Sequence, residues 1–151
     1  MLVEAIARYR TLIGKCELGM GLDWDEIDQV SIIEAAFAPT ERDGRRFRRE
    51  KVSLRALLRG DRINDRVDVI ELGPGGVVCR CAPVVARSEE VELVIDEDDR
   101  SYRFRAVGVW LREDGEDFRI GLRFVGMSVV LHTVHLSAHD TDVVDKISAA
   151  A

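Results

Sequence analysis

The chain has no run of about 18 apolar residues, and its opening Met1-Leu2-Val3-Glu4 carries no basic stretch followed by an apolar core. Neither a membrane span nor a secretory leader is expected, and the protein reads as cytoplasmic. Cysteine is scarce: Cys16, Cys79 and Cys81 are odd in number and too few for a disulfide framework. Cys79 and Cys81, two apart, are expected on one face of a strand, as buried reduced thiols, and a thiolate metal site would need more ligands. No histidine, serine or cysteine stands with partners as a catalytic set, so an enzyme is not the reading. Apart from Phe47 no aromatic residue interleaves with the basic stretch, and the net charge is −6. That leaves little footprint for a nucleic-acid backbone.

What is present is one domain's worth of chain with an extension: 151 residues, 46 % hydrophobic and 33 % charged, the balance of a soluble globular protein. The densest positive charge stands where a linker would be. Gly44-Arg45-Arg46-Phe47-Arg48-Arg49-Glu50 puts four arginines into five positions of an acidic protein. It reads as a ligand-binding arm, the solvated basic linker being the alternative.

Before it, Leu2, Ile6, Tyr9 and Ile13, with Val3 and Leu12 beside them, recur at helical spacing up to Gly14. Gly19 and Gly21 interrupt the pattern. Asp23 followed three residues later by Glu26 then opens a second helix, with Trp24, Ile27, Val30, Ile33 and Phe37 on one face and an end near Ala38, before Pro39. Neither helix is long enough to stand alone, so each must pack on the other, on the next domain or on a second copy, which makes a homo-oligomer through the helices an expectation.

After the arm the period changes to two. Val52, Leu54, Ala56 and Leu58 alternate with polar residues, and Val67 and Val69 continue after Gly60-Asp61. Ile70 and Leu72 shift the phase, which predicts a bulge. Gly73-Pro74-Gly75-Gly76 reverses the chain. Strands follow at Val77–Cys81, Val91–Ile95 and Tyr102–Leu111, then at Phe118–Phe124 after Gly115, the last two as the longest hairpin. Helical crossovers do not fit between them, so an antiparallel barrel is expected. Trp24 and Trp110 read as core. Met127–Leu136 reads as helical, with a weaker segment from Asp140 to Ile147. His132, His135 and His139 would share a helical face as a metal site or as a patch that charges below neutral pH.

If the arm folds beside the glycine turn, guanidinium groups converge where glycine admits a ligand to the backbone. Guanidinium forks suit phosphates and the O6/N7 edge of guanine, which points to an anionic guanine nucleotide. On these residues the chain resembles the PilZ domain family, bacterial receptors of cyclic di-GMP. The family's RxxxR arm is met by Arg45 to Arg49, and Arg119-Ile120-Gly121-Leu122-Arg123-Phe124-Val125 is similar to its last strand. The family's [D/N]xSxxG motif is met less cleanly. One register puts Val69 at the acid and Glu71 at the serine; the other recovers Asp68 and Gly73 but puts Ile70 at the serine.

The resemblance, which covers roughly Gly44 to Met127, implies a mainly β fold with a six-stranded antiparallel PilZ-like β-barrel over residues 41–127; the helical patterns on either side add an N-terminal helical hairpin over 1–40 and a C-terminal helix and tail over 128–151. The resemblance also implies cyclic di-GMP as ligand, held by Arg45, Arg46, Arg49, Asp68, Glu71, Gly73, Gly75 and Gly76, in a regulatory adaptor with a protein partner still to be identified. The alternative is a degenerate PilZ protein that has lost the nucleotide and acts as an interaction module.

Overall fold

A computed structural model describes residues 2–39 and 46–132. Two helices, α1 (Leu2–Glu17) and α2 (Trp24–Ala36), precede seven strands: β1 (Glu50–Arg59), β2 (Asn64–Leu72), β3 (Gly76–Ala82), β4 (Glu90–Glu97), β5 (Arg100–Asp114), β6 (Asp117–Phe124) and β7 (Val129–His132). The strand order β4-β1-β2-β3-β6-β5, with β4 also pairing β5, closes a six-stranded antiparallel barrel. Closure leaves none of these six strands a long open edge.

The period-two pattern is what fills the barrel. Leu58, Val67, Val69, Leu72, Val77, Leu93, Ile95, Phe104, Ile120 and Leu122 are buried in its interior, and Phe104 stacks on Phe124 with ring centroids 4.7 Å apart. Each such aliphatic side chain removed from water is worth about 1.5–3 kcal/mol. The expected phase shift in β2 is a bulge. Val69 pairs with Cys79 and Glu71 with Val78, leaving Ile70 as the extra residue. Val69 and Leu72 therefore both point inward, while Asp68 and Glu71 lie on the outer face of the strand.

A second bulge corrects the cysteine reading. On β3, Cys79 pairs with Ile120 but the next partners are Ala82 and Phe118, and Cys81 takes a positive φ of 54°. The alternation breaks there, so Cys79 is buried while Cys81 is exposed, as is Cys16. Burial pushes the Cys79 thiol up to about 12.

The apolar stripe of α1 lies on the barrel: Val3, Ile6, Ala7, Tyr9 and Leu12 are buried, and α1 touches β5 and β7. The Ser128 hydroxyl donates to the Ala7 carbonyl, and Gly14 packs so close to Met127 that a Cβ would not fit. The predicted capping box opens α2, with the Asp23 carboxylate accepting from the Glu26 amide at 2.8 Å and the Glu26 carboxylate accepting from the Asp23 amide at 3.1 Å. Lys15 of α1 bonds that same Glu26 at 2.8 Å and, as the largest influence, holds its carboxyl below the usual range.

Both tryptophans depart from the core reading. Trp24 is 81 % exposed on the outer side of α2, because this helix turns Glu26, Ile33 and the flanking Phe37 inward. Trp110 lies on the barrel's outside across Gly121, where any Cβ would collide with its indole, and Arg112 stacks on it at 5.6 Å. The C-terminal helix expected from Met127 is corrected over Val129–His132, which pair with Arg100–Arg103 as a strand. The physical reason is the free flank of β5 beyond the end of β6, which two β-branched residues can extend. The rest of that segment lies outside the described residues. So do His135 and His139, leaving only His132 of the histidine cluster placed, exposed in β7. Among the described residues no helix is long and apolar enough to cross a membrane.

Candidate functional site

The arm enters β1 beside the β2–β3 turn. That turn is closed by a hydrogen bond from the Gly73 amide to the Gly76 carbonyl at 3.0 Å, and the Gly75 carbonyl accepts from the Phe124 amide at 2.9 Å. Glycine is required here by close approach. A methyl group on Gly73 would come within 2.7 Å of the Arg48 carbonyl oxygen, and one on Gly76 would run into the Leu122 carbonyl. The arm's backbone thus occupies the space that Gly73 leaves open.

Phe47 anchors the arm. Its ring meets the edge of Tyr9 at 5.7 Å and 78°, rests near Gly75, and carries the Arg46 guanidinium at 5.1 Å. The Tyr9 hydroxyl in turn donates to Glu34 of α2 at 3.0 Å. Burial, followed by that hydrogen bond to Glu34, pushes the Tyr9 phenol up to about 12. Arg48 points away from its neighbours: its guanidinium donates to the Ala36 carbonyl and its amide to the Phe37 carbonyl.

An open pocket of about 590 Å³ lies between α1, the arm, the turn and the end of β6. Its walls bring together Arg46, Arg49, Gly75 and Gly76 from the sequence reading with two arginines that reading missed, Arg10 of α1 and Arg123 of β6. Glu17 is the one carboxylate among the described lining residues. Burial above all pushes the Arg10 guanidinium down from its ordinary value; Arg123 and Arg46 push the same way, against Glu17 and Tyr9. A concave surface carrying four guanidinium groups suits an anion with more than one negative charge.

Three other residues of the sequence reading fall outside these walls. Gly73 is covered by the arm, as above. The Asp68 carboxylate accepts from its cross-strand partner Arg55 of β1 at 3.3 Å, and Glu71 stands opposite Lys51. Arg45 lies outside the described residues. A signal for Arg10 was present in the sequence: it stands four residues after Ile6 and three before Ile13, inside the apolar stripe of α1, where a charge is out of place. Arg123 had only its place in the closing strand to mark it.

A family profile described as the PilZ domain matches residues 43–136. The chain belongs to the PilZ domain family. The match covers the arm, the barrel and β7, and leaves α1 and α2 ahead of the PilZ domain. Among curated proteins no relative matches. Among solved structures the chain is similar to one titled Structure of Bacillus subtilis Inhibitor of motility (MotI/DgrA), at 15 % identity and a TM-score of 0.46, over 72 % of this chain and 53 % of that one. This PilZ protein therefore spans about half the length of that neighbour.

Proposed function

We propose that this PilZ protein is a regulatory adaptor that binds cyclic di-GMP with its arginine arm and the glycine turn, and that the ligand orders the arm and so changes the surface offered to a protein partner. The observation that carries this is the meeting of Arg46, Arg49, Arg10 and Arg123 around Gly75 and Gly76 in one pocket. Two phosphodiesters match that charge, and the planar guanidinium groups suit both phosphate and purine. Arg45, the first arginine of RxxxR, completes the set, and Asp68 and Glu71 remain candidates for the guanine edge from the outer face of β2. The partner surface lies on α2 and the loop before it, where Trp24, Ile32, Leu18 and Met20 are exposed; a second copy of the chain is one such partner.

Calorimetric titration with cyclic di-GMP at physiological salt, with GTP as control, tests the reading. Selective binding that disappears in the Arg45→Ala/Arg49→Ala double variant, with the barrel still folded, supports it. Unchanged affinity in that variant removes the site. The second reading, a PilZ protein that no longer binds the nucleotide, is favoured by Asp68 being engaged by Arg55 and by the arm filling the space above Gly73. No heat from the folded protein would select it.

A further inference from the structure

Arg10 belongs to no motif of the PilZ domain and precedes the residues that match it. Its side chain sits in the interface between α1 and the barrel, 8 % exposed, with Nη2 donating to the Gly126 carbonyl at 3.0 Å. Its buried Nε has no acceptor among the described residues. A guanidinium is never deprotonated under physiological conditions, so its five N–H donors and its charge must be satisfied where it stands. Burying that charge beside Arg46 and Arg123, with a single glutamate among the described residues of the walls, is unfavourable until an anion completes the group.

We propose that Arg10 is a ligand-binding residue: α1 supplies a guanidinium for a phosphate of the cyclic dinucleotide, so that the ligand binds only when α1 is docked and in turn clamps α1 to the barrel. This rests on the cyclic di-GMP reading above and gives that reading a route to the partner surface. Linkage makes the coupling reciprocal: the factor by which docked α1 strengthens ligand binding is the factor by which bound ligand strengthens α1 docking. The preceding residue, Tyr9, carries the grip onward, through its hydroxyl to Glu34 of α2 and through its ring edge to Phe47 of the arm.

The experiment titrates cyclic di-GMP into the full chain and into its Arg10→Gln and Arg10→Lys variants, with thermal melts to establish that each is folded. Arg10→Gln is expected to weaken binding at least about tenfold, equivalent to about 1.4 kcal/mol. Arg10→Lys falls between, because it keeps the charge but loses the planar fork. If Arg10→Gln does not fold, hydrogen exchange on the wild-type chain decides: slower exchange across residues 2–17 on adding cyclic di-GMP supports the clamp, and slowing confined to the barrel overturns it. Wild-type binding with equal affinity in Arg10→Gln overturns this inference alone. A wild-type chain that gives no heat with cyclic di-GMP overturns it together with the reading beneath it.

Discussion

The Arg48 guanidinium donates to the Ala36 carbonyl at 2.7 Å, at the end of α2, where the helix leaves carbonyl groups without internal partners. A cation at a helix C-terminus is also favoured by the macrodipole. The arm's described arginines thus have different roles. Arg48 holds the arm to the helices, while Arg46 and Arg49 stand in the pocket wall.

Arg48→Ala is therefore expected to destabilise the fold by about 1 kcal/mol, the usual net worth of one such hydrogen bond. It should weaken cyclic di-GMP binding less than Arg46→Ala does. Urea unfolding and titration of both variants check this, and equal losses of affinity would contradict the separation of roles.

Gly73→Ala tests whether the turn is shaped by the arm. Its methyl group would meet the Arg48 carbonyl oxygen at 2.7 Å, so the arm must lift, at a cost of about 1–3 kcal/mol. Gly60→Ala, whose nearest contact would be 3.4 Å from a Val91 methyl, serves as the control and is expected to be close to neutral. Unfolding midpoints that fall equally in the two variants would refute the account.

Stability should decline in alkali through two buried groups. Folding raises the Cys79 thiol from 9.0 to about 12 and the Tyr9 phenol from 10.0 to about 12. Both are neutral when protonated and keep their protons longer in the folded chain. Their contribution is therefore complete below the unfolded values and is lost as pH rises from about 9 toward 12. Tyr9→Phe should be less stable than wild type near neutrality, having lost the bond to Glu34, yet should fall less steeply above pH 10. Urea midpoints measured across that range would show parallel curves if Tyr9 takes no part.

Much of the architecture could be read locally. The capping box of Asp23 and Glu26, the bulge at Ile70, the reversal at Gly73 to Gly76 and the long hairpin around Gly115 each depend on residues close together in the chain, and each is found. The arm stood out because four arginines in an acidic chain need no neighbour to be noticed. Helical periodicity, by contrast, reports that one face of α1 is covered and not what covers it. The same blindness put Trp24 in a core that α2 does not offer it, and kept Cys81 in an alternation that a bulge breaks.

By itself, then, the sequence determined the barrel's strands, the caps and turns, and the presence of a cationic arm, because these follow from backbone preference and from period over a few residues. Only the tertiary structure decided that Arg10 and Arg123, 113 positions apart by their numbers, share a pocket wall with Arg46 and Arg49 while Arg48 leaves it for α2. Barrel closure and the docking of α1 made that choice, since they bring remote side chains together through burial that no local pattern encodes.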